Sequence, residues 1–232
     1  MILRVKFTKE DYLRYIGHLD LLRLFQRCFN RAGIELNYSQ GFNPRPKFSI
    51  ANPLSLGVES IGEYMDIDLL KEVEIEEFIL AMNNVLPEGI KILAAEYPKD
   101  TKSVSAILDF AEYEIKFKTY KELSKEELST IVHSWLENER IMISRLRKRK
   151  KSKIIIEENV KCLIKEVEVV EVNNNTISIH AILSSSEDGT LRPLDFIEAM
   201  NRDNYLEIDM ESIMLKRLGL YIQGIKTIYK PM

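Results

Sequence analysis

The densest set of chemically capable side chains lies in the stretch Tyr38-Ser-Gln-Gly-Phe-Asn-Pro-Arg-Pro-Lys47. Arg45 and Lys47 bring positive charge, and Tyr38 and Phe42 bring ring faces. Ser39, Gln40 and Asn43 supply donors and acceptors. Gly41 permits a positive φ or the close approach of a ligand. Pro44 and Pro46 fix their own φ and push Asn43 and Arg45 toward extended conformations, so Arg45 has less freedom than on a plain loop. A restrained cation, a ring and an amide together suit a nucleotide, with phosphate on the cation, base on the ring and base edge on the amide. The plain alternative is a structural turn whose aromatics pack beneath it.

Basic residues gather upstream of this stretch. Arg23, Arg27 and Arg31 recur every fourth residue, which places them on one face of a helix, opposite much of its apolar stripe. They form either a solvated helix face or, with Arg45 and Lys47, a basic site. His18 lies at the expected start of the helix, near the 38–47 stretch. Asp20 falls in the first turn, where a carboxylate favours the helix dipole. A second cluster runs from Arg145 to Lys153, where seven of nine residues are basic, Arg147, Lys148 and Arg149 among them. Set between strand pieces, it reads as a hairpin tip, or as a mobile arm touching a phosphate backbone without reading sequence. Gly57 reads as a bend. Glu59 and Glu63 are expected to act structurally, as clamps on Arg45 or Arg23 or as ordinary surface acids.

The elements that must position these groups follow from periodicity. Residues 2–8 alternate as a strand, and residues 19–32 form a helix with Leu21, Leu22, Phe25, Cys28, Phe29 and Ala32 as its buried stripe and Gly33 as its stop. Short strands follow at 47–50 and 63–69, then a helix over 75–85 and a strand over 90–97. The order strand, helix, strand, strand, helix, strand is the ferredoxin-like pattern. After a linker at 99–105 the pattern returns. It comprises a strand at 113–117, a helix over 124–139 with Ser124 and Glu127 as capping box, strand pieces at 141–145 and 154–156, a hairpin of 164–172 with 176–183, a helix over 193–200 and a last strand near 218–222. The expected architecture is α+β: two ferredoxin-like α/β sandwich domains in tandem, over 1–98 and 106–232, with antiparallel sheets and helices on one face. No residue-level repeat relates the halves.

The chain has 232 residues with 45% hydrophobic and 30% charged side chains, the balance of a globular protein able to bury a core. The net charge of −3 gives no global attraction to nucleic acid or membrane. It hides an uneven distribution. Residues 1–50 hold nine Lys/Arg against four Asp/Glu, and residues 51–100 hold three against eleven. The two cysteines, Cys28 and Cys162, make neither a disulfide framework nor a metal cluster. The N-terminus lacks the apolar run of a signal peptide, and no stretch approaches the ~18 apolar residues of a bilayer span, so a cytoplasmic location is expected. A P-loop, a dinucleotide fingerprint, a serine elbow and the cysteines of an iron–sulfur cluster are all missing, which argues against an independent redox or nucleotide-hydrolysing enzyme.

The stretch Tyr15-Ile-Gly-His-Leu-Asp-Leu-Leu-Arg23, the 38–47 motif, Leu56-Gly-Val-Glu-Ser60 with Gly62-Glu63, and the later Arg192-Pro193 and Arg217-Leu-Gly-Leu-Tyr221 closely resemble the radical-SAM-linked (radical-SAM-associated) domain family, a family of uncharacterised function. Gly17 stands where that family usually has a serine, and Leu218 where it often has threonine. The resemblance implies a stand-alone form without cluster cysteines. It would act beside a separate radical-SAM enzyme that carries the iron–sulfur cluster and S-adenosylmethionine. The family's setting among RNA-processing and ribosomal genes points by association to RNA, of the tRNA or rRNA class. The resemblance assigns no catalytic residue.

Three functions compete: an RNA-binding accessory module, a metal-independent endoribonuclease with His18 as acid or base and Arg45 or Lys47 steadying the phosphorane-like charge, and an adaptor that docks the radical-SAM partner through the loop.

Overall fold

A computed structural model describes residues 1–99, 102–149, 152–186 and 189–223; of residues 147–149, 152 and 153 it describes the backbone alone. The chain divides into two compact units: Met1–Asp109 with the residues from Lys216 onward, and Phe110–Leu215. The class is α+β with antiparallel pairing, as the periodicity requires.

Unit 1 opens with β1 (Ile2–Lys9), α1 (His18–Arg31), β2 (Phe48–Ile50), β3 (Val58–Asp68), α2 (Ile75–Asn83) and β4 (Ile92–Glu96), and a one-turn helix α3 (Val104–Ile107) follows. The strand order β4-β1-β3-β2 is the ferredoxin-like one. Leu3, Val5 and Phe7 of β1 and Met65 and Ile67 of β3 face the helices. Against them lie Leu21, Phe25, Cys28 and Phe29 of α1 and Phe78 and Met82 of α2. Phe25 joins the layers, its ring edge-on to Phe7 at 5.0 Å and stacked on Phe29 at 6.0 Å.

Local chemistry sets the helix ends. Gly17 caps α1 through its backbone carbonyl, which accepts from Leu21 N–H at 2.9 Å. Gly33, at φ +70°, ends it. The Ile34 and Gly33 N–H groups donate to the Phe29 and Asn30 carbonyls at 2.9 and 3.3 Å, the paired closure of a Schellman motif. Glu74 caps α2 by accepting from Glu76 N–H at 2.8 Å.

Unit 2 contains β5 (Phe110–Thr119), α4 (Lys125–Leu136), β6 (Met142–Arg149), β7 (Ser152–Asn159), β8 (Ile164–Asn173), β9 (Thr176–Ser186), the short β10 (Gly189–Thr190), α5 (Pro193–Asn204) and most of β11 (Ile208–Tyr221). Without β6 and β7 the order is β8-β9-β5-β11, the ferredoxin-like order again. The β6–β7 pair is a separate hairpin inserted between α4 and β8. Ser124 and Glu127 form the expected capping box, and Pro193 sits in the first turn of α5. Trp135 of α4 packs on Phe196 of α5 at 5.7 Å and donates to Asp203 at 3.1 Å. The last six residues of β11 belong to unit 1, where Gly219 lies against Gly62 of β3. A methyl group on Gly62 would come within 3.2 Å of the Gly219 Cα, so the two backbones meet without side chains between them.

Candidate nucleic-acid interface

The 38–47 motif forms a pinned hairpin-like loop. Tyr38 and Pro46 are bridge partners. Ser39 N–H donates to the Arg45 carbonyl at 2.8 Å, and Arg45 N–H donates to the Ser39 hydroxyl at 3.0 Å. Below them, Lys47 N–H donates to the Asn37 carbonyl at 2.8 Å, and Asn37 N–H donates to the Asp68 carbonyl at 2.7 Å. The base of the loop is thus tied to the end of β3, and the tip, residues 40–44, projects from it. Gly41 turns the tip at φ +130°, which a side chain would strain.

The aromatics do not pack beneath this turn. Phe42 is fully exposed, and Tyr38 is 46% exposed at the base. Gln40, Asn43, Pro44 and Arg45 are exposed as well. Among the described residues the Arg45 guanidinium has no partner, so its charge is available. Lys47 differs. Its ammonium lies 3.7 Å from Asp68, which also accepts from the N-terminal ammonium at 3.1 Å and from the Asn37 amide at 2.9 Å. Burial acts to raise the Asp68 pKa, but the Asn37 and N-terminal hydrogen bonds and the two positive charges outweigh it and hold it below its ordinary 3.8. A carboxylate with a depressed pKa stabilises the fold above its unfolded pKa and loses that contribution as pH falls through the folded value. Asp68→Asn is therefore expected to unfold at lower denaturant than the parent at neutral pH, with the gap closing below about pH 4; urea titrations across pH measure it.

The α1 arginines share an open groove of about 950 Å³, lined by all three together with Ile16, Leu24 and Pro87. Arg23 is paired with Asp20 at 2.7 Å, both well exposed, an arrangement that costs little to open. Arg27 has no partner among the described residues. Arg31 reaches the Val85 carbonyl and the Cys28 sulfur, which fixes the end of the groove. A smaller cleft of about 530 Å³ lies between α1 and the loop base, lined by Gln26, Asn30, Asn37, Tyr38 and Pro46. Asn30 borders both. The periodicity did not single it out, because an exposed asparagine near a helix end ordinarily reads as a turn residue.

Glu59 and Glu63 clamp different arginines from the two expected. Glu59 accepts from Arg14 at 2.9 Å, and the Arg14 guanidinium lies over the Tyr15 ring at 5.2 Å. The turn at Gly57, φ +83°, locks onto the same residue, its N–H donating to the Arg14 carbonyl at 2.9 Å. Glu63 is fully buried, with Arg217 Nη1 at 3.0 and 3.1 Å from its two oxygens; the same nitrogen donates to the Asn52 carbonyl at 2.8 Å. Lys9 is buried beside them, donating to the Ile16 carbonyl at 3.1 Å. Burial lowers the Lys9 pKa, the Glu63 charge opposes that and the Arg217 charge adds to it, leaving it below 10.5. The central and C-terminal landmarks of the motif thus meet in one buried ionic cluster that anchors the segment leading into α1.

His18 is the first residue of α1, and its Nδ1 is buried with no hydrogen-bond partner among the described residues. Arg147, Lys148 and Arg149 lie on β6, and their side chains fall outside the described part; Lys150 and Lys151 lie outside it altogether. The first residue of the basic run, Arg145, is tied down by Asp195 and Glu158 at 3.3 and 3.1 Å and by the Thr190 carbonyl at 2.8 Å. No group of three or more metal-ligating side chains occurs among the described residues, and no helix there is long and apolar enough to cross a membrane.

A tandem ferredoxin-like α+β protein with a basic groove and a pinned aromatic loop is the class that fold and site define. Residues 3–193 match the model of the family described as uncharacterised proteins conserved in bacteria, DUF2344, and the chain belongs to that family. No curated protein matches it. Among solved structures it is similar to a protein of an H/ACA RNP bound to a substrate RNA containing 2′-deoxyuridine, at 12% identity and TM-score 0.51, with 93% of this chain and 46% of that chain covered. It is also similar to a chain of a Cbf5-Nop10-Gar1 complex, at 7% identity and TM-score 0.51, with 93% and 47% covered. These likenesses are of fold, and this chain spans about half the length of those it matches.

Proposed function

We propose that this protein is an RNA-binding accessory module that presents RNA, of the tRNA or rRNA class, to a separate radical-SAM enzyme. The observation that carries the RNA reading is the loop. It holds a fully exposed ring and an arginine with no partner among the described residues on a hydrogen-bonded base, and Asn30 borders both the cleft at that base and the arginine groove of α1. Arg23, Arg27 and Arg45 are placed to neutralise phosphates, while Gln40 and Asn43 offer amides to base edges. The fold likeness to a protein of an RNA-bound complex agrees with this reading without carrying it. The radical-SAM partner rests on the resemblance of the 15–23 and 38–47 motifs. That enzyme would hold the iron–sulfur cluster and S-adenosylmethionine, while this chain binds and orients the substrate.

Binding is expected to weaken with salt by roughly 0.7–0.9 log units per log unit of salt for each phosphate neutralised. Replacing Arg23, Arg27 and Arg45 together by alanine should lower affinity for structured RNA and flatten that slope by about two units or more. Fluorescence-anisotropy titrations over a salt series read both quantities. Affinity and slope unchanged in the triple variant would exclude the groove and loop as the RNA surface.

A further inference from the structure

We infer that the loop tip selects unpaired nucleotides, with the Phe42 ring as a stacking platform for an extruded or single-stranded base. This rests on the RNA reading and assigns its substrate class. Phe42 is an apolar ring left wholly in water at the end of a loop fastened below it by three backbone hydrogen bonds and one to the Ser39 hydroxyl. A mobile loop could fold such a ring away. This one holds it out, because Gly41 turns at φ +130° and the Ser39–Arg45 and Asn37–Lys47 pairs close the base. The ring's exposed neighbours in the chain are polar and cationic: Gln40, Asn43 and Arg45, whose guanidinium has no partner among the described residues.

A paired duplex offers this tip little. Its bases are stacked on one another, and only their edges and the phosphates face outward. An unpaired nucleotide presents its whole π-face, its Watson–Crick edge and its phosphate at once. Ring, amide and guanidinium at the tip match that set one for one. The arginines of α1 make no such distinction, since phosphates occur in both forms. Left to themselves they would favour the duplex, whose charge density is higher. A preference for unpaired RNA would therefore oppose the electrostatic trend and has to come from the ring.

The experiment compares one oligoribonucleotide in three forms at fixed low salt: single-stranded, annealed to its complement, and closed into a hairpin with an unpaired loop. The full chain is titrated with each, as are Phe42→Ala, Phe42→Trp and the Arg23/Arg27/Arg45 triple alanine variant. The expected result is tighter binding of the single strand and the hairpin than of the duplex. Phe42→Ala should weaken the two unpaired forms by about 5- to 100-fold and leave the duplex unchanged, with Phe42→Trp restoring the preference. Because the ring touches no core residue, these variants should keep the parent unfolding midpoint, so a loss cannot be read as misfolding. Equal affinity for duplex and single strand overturns the inference. So does single-strand affinity indifferent to Phe42 while the triple variant still weakens it, an outcome that would remove the ring from RNA binding and leave the RNA reading standing. Failure to bind any of the three forms overturns both.

Discussion

Replacing Glu63 by glutamine is expected to destabilise the fold by about 3–5 kcal/mol, the cost of breaking a buried ion pair from one side. The substitution keeps the shape and one oxygen acceptor but removes the carboxylate that Arg217 contacts and whose charge acts on Lys9. Arg217 cannot lose its proton, so its charge would remain buried without the Glu63 carboxylate. Lys9 can, and with Glu63 neutral the charge that holds its pKa up is gone. A lysine whose folded pKa lies below its unfolded value leaves the unfolded chain with more protons, so stability rises with pH over the interval between the two. Glu63→Gln should therefore recover part of its loss as pH is raised toward 10.5, more steeply than the parent. Urea midpoints at neutral and alkaline pH measure this. A variant as stable as the parent would mean that the cluster is hydrated in solution. Exchanging the pair, Glu63→Leu with Arg217→Met, should cost less than either single change, because buried ion pairs roughly break even against apolar groups of similar size.

The second large effect belongs to Phe25. Its side chain is fully buried between Phe7 of β1 and Phe29 of α1. Phe25→Ala is expected to cost about 3–5 kcal/mol, from lost transfer energy and from the cavity that neighbouring rings cannot fill without leaving their rotamers. The functional consequence is separable from the thermodynamic one. Phe25 lies on the opposite face of α1 from Arg23 and Arg27, so it touches nothing that would bind RNA. At temperatures where the variant is folded, its RNA affinity should stay close to that of the parent. A fall in affinity without unfolding would show that the groove depends on how tightly α1 is seated.

What the sequence discloses divides along the line between local and long-range causes. The Ser124/Glu127 box, the Gly33 stop and the stripe from Leu21 to Ala32 are decided within one or two turns of chain, and each stands where periodicity and capping place it. The order of strands and helices in unit 1 could be read for the same reason. The partners of Glu59 and Glu63 could not. Glu63 is 154 residues from Arg217, and no local pattern selects that arginine over Arg45 or Arg23. The length of β11 was equally hidden, because the apolar run Ile213-Met214-Leu215 and the Lys216-Arg217 pair break the alternation that marks a strand, and strands far away in sequence satisfy its backbone. In the 38–47 loop the residue types were legible but their orientation was not. Gly41 and the prolines announce a constrained turn. Only the hydrogen bonds at its base decide that the ring points outward.

The β6–β7 hairpin enters the second ferredoxin-like pattern between a helix and the strand that should follow it. Its two ends are stitched together where it leaves the unit, Val160 N–H donating to the Ile141 carbonyl at 2.8 Å. An insertion whose entry and exit coincide leaves the path of its host chain unchanged, and this one is tied to its host at the base, where Arg145 meets Asp195 and the Thr190 carbonyl. It can lengthen, shorten or change its charge over evolutionary time while the host sheet keeps its order. Beyond Arg145 the basic run rides on an insertion that can change without disturbing the host sheet, whereas the 38–47 loop, tied into the end of β3, is bound to the architecture itself.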